Sequence, residues 1–346
     1  MHSLEFFLPK IVNGGGELTS LMLIREMSKD PEIAVGLHGQ EVARDVHIEQ
    51  VSCKDINFGN KLQLFWSVFI ALKKSSKKSV TFVSVLSGMN IAVGITNLFF
   101  GRRLIAYEHS DLRTLYFSPA TPIKSAIRVV LYNLALFRAR KIIFVSEQSA
   151  ARAQKFLLPH NKKKTSVLLN PIVNLHEKIR FSSEDTTLTF FLVGRNSPEK
   201  RLDSALHYLA KQSVEMKIIL VTSKDFLVSK YENLESSITV YNDYSDLPPL
   251  NLENTFLVNF SLVKSYSLVI AEWLQIGGIA LSTAEGISND IWKQYKHFFH
   301  FEESLPLASQ LELILRGAKK DTRPKFVGKS AVEFSRQFRE LLDSLD

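Results

Sequence analysis

Cysteine is nearly absent. Cys53 is the only one in 346 residues, which excludes an intramolecular disulfide framework and fits a reducing compartment. Cys53 itself reads as a small buried or half-buried residue, not a nucleophile. Long apolar runs are missing as well: no stretch of 18 apolar residues occurs, so no helix is expected to span a membrane. The first residues, MHSLEFFLPK, lack the basic start and long apolar core of a secretory signal. There is no internal repeat and no low-complexity tract, which excludes a solenoid. His and Cys spacings give no zinc site, and no nucleophile stands beside a base.

What is present is an ordinary globular composition, 45% hydrophobic and 23% charged, at a length that suggests two domains. The formal net charge of +8 favours anionic partners: nucleic acid, acidic lipid or a phosphorylated substrate. Nucleic acid is the poorest of these, because basic and aromatic residues are not interleaved and no recognised module occurs.

Along the chain, short apolar runs alternate with helical patterns. Leu4–Leu8 reads as a strand, Gly14-Gly15-Gly16 as a loop and 18–29 as a helix. A glycine loop lets backbone approach a ligand closely. Short strands are expected at 34–37 and 46–51, and a helix, apolar on nearly every side, at Asn60–Lys74. Then come strand 80–86, helix 89–100, strand 104–107 ending at Glu108-His109-Ser110, and a long basic helix 123–140. Strand 141–145, helix 147–157 and strand 166–169 lead to Asn170-Pro171. Residues 174–187 are polar without a period and read as a linker. After it the alternation restarts: strand 188–193, helix 200–212, strand 216–221, a weak helix at 225–233, strands 238–241 and 255–259, helix 267–276, strand 278–281 and helix 288–295. Helical patterns at 304–318 and 328–345 end the chain. Strand–helix alternation on both sides of a linker predicts an α/β protein with two Rossmann-like, doubly wound parallel sheets facing across a cleft.

The most informative stretch is Leu188–Asp203, LTFFLVGRNSPEKRLD. An apolar strand ends at Gly194, a polar turn follows, and a helix is expected from Glu199. Open α/β sheets bind ligands at such carboxyl ends. Arg195 and Lys200, with a helix N-terminus between them, form a site for a polyanion such as a diphosphate. The alternative is two surface charges on an ordinary turn.

Four segments together resemble a family. GGGELTSLMLIREM, KIIFVSEQSAARAQKFL with KTSVLLNPI, FFLVGRNSPEKRLD, and SYSLVIAEWLQIGGIALST stand in the order and spacing of the GT-B glycosyltransferases, in particular the large retaining family 4. The resemblance covers most of the chain. It implies an N-terminal acceptor-binding domain over 1–173, a linker at 174–187, a donor-binding domain over 188–327, and a last helix, 328–346, packing back on the first domain. It implies a retaining, metal-independent transferase that moves a sugar from a nucleotide-diphosphate sugar, UDP-sugar by first expectation, to a lipid-linked or polysaccharide acceptor in bacterial surface-glycan synthesis. No cofactor is implied, and no Asp-x-Asp metal signature follows a strand.

Residue by residue, the resemblance makes Arg195 and Lys200 the basic pair on the donor diphosphate, with Gly194 at the turn. Glu272 becomes the carboxylate that accepts from the ribose hydroxyls, Gly15 and Gly16 the loop near sugar and phosphates, and His109 a side chain beside the donor sugar. Lys264, Ser265, Tyr266, Ser267 and Leu268 fall in the donor motif. Lys264 departs from the pattern, which has Glu there: an ammonium only donates and brings positive charge. It leaves open a non-catalytic GT-B subunit that binds nucleotide-sugar or glycan. Another GT-B enzyme, such as a nucleotide-sugar 2-epimerase, is the further alternative. The expected location is cytoplasmic. Trp66, Phe65 and Phe69 beside Lys73, Lys74, Lys77 and Lys78, with Arg102, Arg103, Arg128, Arg138 and Arg140, suggest peripheral docking to an anionic membrane surface. The alternative there is a buried core helix followed by a solvated lysine turn.

Overall fold

The computed structural model describes residues 2–10, 15–40, 48–56, 59–75, 80–110, 112, 122–172, 179–194, 196–197, 200–222, 226, 230–231, 237–261, 266–283, 292, 294–320 and 322–345. The chain divides into two units. The first joins Met1–Pro171 to Lys329–Asp346, and the second is Ile172–Gly328.

The first unit is built on seven strands: β1 His2–Lys10, β2 Ile33–Gln40, β3 Val51–Asp55, β4 Val80–Val85, β5 Arg103–Glu108, β6 Lys141–Phe144 and β7 Thr165–Val167. They pair in parallel in the order β3-β2-β1-β4-β5-β6-β7. A parallel sheet is covered on both faces, so its strands are buried throughout rather than on alternate residues; all of Val80–Val85 is buried, Thr81 and Ser84 included. Around the sheet lie α1 Gly15–Ser28, α2 Lys61–Lys74, α3 Ser87–Phe100, α4 Pro122–Leu136, α5 Glu147–Ala153 and the single turn α6 Pro159–Lys162. Val68 of α2, Val93 of α3 and Leu136 of α4 share one core with Phe7, Phe82, Leu104 and Ile142. Neighbouring strand residues point to opposite faces. Phe6 therefore turns the other way and meets Phe338 of the last helix, α10 Ala331–Asp343, with ring centroids 6.3 Å apart. Phe334 and Phe338, one turn apart, are fully buried. Ser330 caps α10 by accepting from Glu333 N–H at 3.1 Å, and Arg339 pairs with Asp30 at the end of α1.

The second unit has β8 Thr189–Val193, β9 Lys217–Val221, β10 Ile238–Tyr241, β11 Thr255–Asn259, β12 Ile279–Thr283 and β13 Phe298–Phe301. Their order is β10-β9-β8-β11-β12-β13, again all parallel. Counted from each unit's own first strand, both sheets contain the Rossmann order 3-2-1-4-5-6, the first with a seventh strand added at its end, and reverse winding beside that first strand. Helices α7 Leu202–Ala210, α8 Leu268–Gln275 and α9 Leu307–Lys320 belong to this unit. A methyl placed on Gly328 would overlap Ile172, so the first and last residues of the unit touch.

Several expectations need correction. Of the stretch read as linker, 179–187 belongs to the second unit: Ile179 is buried and Phe181 bridges to Leu250, while 173–178 lie outside the described residues. The strand expected at 46–51 is β3, further on at Val51–Asp55. The helices expected over 123–140 and 147–157 stop at Leu136 and Ala153. Strand β13 had no signal, because only Phe298 and Phe301 of its four residues are buried. The weak helix at 225–233 and the one at 288–295 lie mostly outside the described residues. The helix expected at Asn60–Lys74 is half core and half surface: Val68 and Leu72 are buried with Leu64 and Phe65 packed beside them, while Trp66 is 64% exposed and Lys73 and Lys74 are in solvent.

Candidate functional site

In the first unit the expected residues gather at the carboxyl ends of β1 and β5. Residues 11–14 are outside the described set, and α1 begins at Gly15. Thr19 and Ser20 hydroxyls donate to the carbonyls of Gly15 and Gly16 at 2.7 and 2.9 Å, fixing the first turn. A methyl on Gly16 would lie 3.1 Å from Cβ and Cγ of His109. Glycine is therefore what lets the imidazole lie against the helix start. His109 is buried, its ring 4.2 Å from that of Tyr107. Burial lowers its pKa to about 3, so the ring is neutral at physiological pH and offers one donor and one acceptor.

Beneath it stands Glu108, to which sequence reasoning gave no role. Its carboxylate is fully buried and accepts four hydrogen bonds, two on each oxygen. Ser87 Oγ (2.8 Å) and Ser110 N–H (3.1 Å) donate to Oε1; Tyr132 OH (2.9 Å) and Asn90 Nδ2 (3.2 Å) donate to Oε2. Burial raises its pKa and the four donors oppose the rise. The result is a rigid support for the His109–Ser110 turn. Asn170 of the Asn-Pro motif accepts from Tyr107 OH at 3.2 Å, and Ser146 of the Val-Ser motif is the N-cap of α5, accepting from Ser149 N–H. Both motifs hold this sheet end together.

In the second unit β8 runs out at Gly194, whose N–H donates to Val221 O at 3.0 Å. The Lys200 side chain lies over Gly194, its Cγ and Cδ 3.4 Å from where a β-carbon would be. The helix does not begin at Glu199 as the sequence suggested. Arg201 takes φ +50° as the residue before α7, and the helix starts at Leu202. The Arg201 guanidinium donates to both carboxylate oxygens of Glu303 at 3.3 Å, pinning the turn. Lys200 thus precedes the helix instead of sitting in its first turn. Two hydroxyls here, Ser197 Oγ after β8 and Thr222 Oγ1 after β9, are buried with no hydrogen-bond partner among the described residues. A buried polar group without a partner is costly, so each hydroxyl is a candidate contact for a ligand.

The donor motif follows β11. Ser267 caps α8, its hydroxyl facing Ile270 N–H, and Leu268 is the first helical residue. Glu272 is buried on the same helix. Its charge adds to burial in raising the phenol pKa of Tyr244, and lies behind burial and Tyr295 in raising that of Tyr266. Glu272 is therefore near both tyrosines. Tyr266 leans on Trp292 at 5.3 Å, and Trp292 Nε1 is a third buried donor without a partner among the described residues. Tyr244 carried no signal in the sequence; it follows β10 in a one-turn helix capped by Asp243. Arg195, Lys264 and Ser265 lie outside the described residues. None of the site residues lines the pocket of about 550 Å³ in the first unit, which holds the Glu5–His38 pair. Among the described residues no three His, Cys, Asp or Glu side chains are placed to hold a metal ion, and no helix is long and apolar enough to cross a membrane.

Two Rossmann-ordered parallel sheets in one chain are the GT-B fold, and the chain has that fold. Solved structures match it over its whole length. HepE from Anabaena, in complex with UDP-glucose, is 14% identical with a TM-score of 0.73, covering 99% of this chain and 100% of that one. Sucrose-phosphate synthase from Thermosynechococcus elongatus is 14% identical with a TM-score of 0.74, covering 100% and 99%. The lipopolysaccharide outer core galactosyltransferase WaaB, in its apo form, is 13% identical with a TM-score of 0.65, covering 99% of each. No protein-family model and no curated protein matches the sequence.

Proposed function

We propose that the chain is a retaining, metal-independent glycosyltransferase. Its donor is a nucleotide-diphosphate sugar, a UDP-sugar first among these. Its acceptor is lipid-linked or polysaccharide, in bacterial surface-glycan synthesis at the cytoplasmic face of a membrane. The observation that carries the reading is the pair of buried hydroxyls without a partner among the described residues, Ser197 and Thr222, with Lys200 at the carboxyl ends of β8 and β9. That is where a doubly wound sheet binds its ligand. UDP-glucose bound to HepE, a structure of the same fold, supports the donor class.

In this reading the second unit is the donor-binding domain and the first the acceptor-binding domain. Glycosyl transfer leaves negative charge on the departing diphosphate. Lys200 and Arg195 stabilise it. Glu272 accepts from the ribose hydroxyls. His109, held neutral, positions a sugar hydroxyl and does not act as a cationic acid. The same-face course of the reaction rests on the family resemblance. A second reading, a non-catalytic nucleotide-sugar-binding subunit, is favoured by Lys264, where the family has Glu.

Calorimetry of the purified protein with UDP-, GDP- and ADP-sugars, together with release of nucleotide diphosphate, tests both. The proposal expects binding of at least one donor class and its slow turnover with water or acceptor. Binding without turnover across acceptors supports the subunit reading. No binding to any donor refutes both.

A further inference from the structure

The first unit carries a second concentration of positive charge, away from the residues described above. It lies at the amino ends of β5 and β6, the opposite edge of the sheet from His109. A pocket of about 400 Å³ there is lined by Arg102, Arg103, Arg138, Arg140, Lys164 and His160 around Gly101 and Phe137, with no carboxylate among its described lining residues. The sequence shows how one-sided this region is. Between Asp55 and Glu147 stand 13 Lys and Arg but two acids, Glu108 and Asp111, and Glu108 is wholly buried at the other sheet edge.

Part of this charge has a structural task. Gly101 and Phe137 follow the carboxyl ends of α3 and α4, which carry partial negative charge. Lys164 donates to the carbonyls of Leu136 (3.3 Å) and Phe137 (2.6 Å), and His160 Nε2 lies 3.1 Å from Phe137 O. Two helix ends offset about one elementary charge, and Arg102, Arg138, Arg140 and Lys164 all line the pocket. The excess is felt: burial and then Arg140 lower the Lys164 pKa to about 8. Arg102 Nε is buried with no hydrogen-bond partner among the described residues.

The surroundings identify the source of the missing anion. Ile123, Ile127, Val130, Leu131 and Leu134 form one exposed stripe along α4, directly opposite its buried Tyr132 and Leu136. A helix on a soluble surface is normally polar there. Phe137, half of it exposed, follows the stripe and lines the pocket, and Phe99 near the end of α3 is 78% exposed. A soluble anion needs no such apolar approach, whereas a lipid surface does.

We propose that this pocket seats the phosphate headgroup of an anionic phospholipid while the α4 stripe enters the interfacial layer. The inference deepens the membrane part of the proposed function by naming residues and lipid class, and it does not depend on the donor assignment.

The test is sedimentation of the full chain with vesicles of phosphatidylcholine alone or mixed with phosphatidylglycerol. Wild type is expected to bind only the mixed vesicles. Each basic residue at a membrane surface contributes about 1 kcal/mol, so the Arg138→Ala/Arg140→Ala variant should bind roughly thirtyfold more weakly. Arg138→Lys/Arg140→Lys keeps the charge and loses the fork geometry; it should still bind about tenfold more weakly. Both sites are exposed, so melting and nucleotide-sugar binding should match wild type, which separates this test from that of the donor site. Full binding by the lysine variant would mean diffuse charge and no pocket. Unchanged binding by the alanine variant overturns the proposal. So does a wild type that binds inorganic phosphate but not vesicles, since the anion would then be a soluble one.

Discussion

His109 makes the burial of the first candidate half-site measurable without any substrate. An unfolded histidine titrates near pH 6.5, whereas the folded residue is held to about 3 by burial. The folded state thus refuses a proton that the unfolded state accepts. Stability from this group is intact above pH 6.5 and is lost as pH falls toward 3. From pH 7 to pH 5 the loss works out at about 1.9 kcal/mol for a single site with these values. The figure depends on the unfolded value; a folded pKa of about 4 would change it by less than about 0.1 kcal/mol. Glu108, whose pKa is raised, acts in the opposite sense, so the wild-type profile alone does not isolate His109. The difference between wild type and His109→Gln does. Calorimetric melting at the two pH values should show wild type losing about 1.9 kcal/mol more than the variant, roughly 4–8 °C for a unit of this size. Parallel profiles for the two proteins would mean that His109 is solvated, and that the close approach to Gly16 is not maintained in solution.

Three further outcomes are expected. Lys200→Ala and Arg195→Ala should each lower turnover at least about 100-fold in a nucleotide-release assay; normal turnover in both would put the diphosphate elsewhere. Phe338→Ala should cost about 3–5 kcal/mol, and truncation after Lys325 should destabilise the whole protein. Val332→Ala, at a side chain 66% exposed, should stay within about 0.5 kcal/mol; equal melting of Phe338→Ala and Val332→Ala would rule out the docking of α10 described here. Lys264→Ala should weaken donor binding by about 1.5–3 kcal/mol, with affinity for bare nucleotide diphosphate falling too if the ammonium reaches the phosphates; unchanged calorimetric affinity for every ligand would end any role for it.

The parallel sheets were readable because strands buried on both faces leave unbroken apolar runs, as at 188–193 and 255–259. β13 escaped for the converse reason: an edge strand with His300 in solvent has no such run. The start of α7 was misplaced because Lys200-Arg201-Leu202 is good helical sequence, and nothing in an arginine announces φ +50°. Apolar residues all round α2 gave its composition but not what lies opposite each face, so the exposure of Trp66 had to be seen. Motif spacing placed Gly16, His109, Lys200 and Glu272 near sheet ends. The groups that hold or surround them came from residues no local pattern connects. Glu108 is satisfied from positions 87, 90, 110 and 132, and Tyr244 comes near Glu272 from the one-turn helix after β10. Hydroxyls such as Ser197 and Thr222, without a partner among the described residues, become visible only in three dimensions.

The contact between Ile172 and Gly328 has a consequence for the covalent plan of the molecule. Topologically the second unit is a guest spliced into a host. Its entry and exit points meet, so the host's chain leaves and resumes at nearly one place, a layout under which domains are gained and lost with little disturbance. During synthesis the host must wait. Phe6 emerges early, but its partner Phe338 follows 332 residues later, after the entire guest. The guest has all its strands before the host has its last helix, and Phe6 of β1 lacks its partner Phe338 until residues 331–343 leave the ribosome.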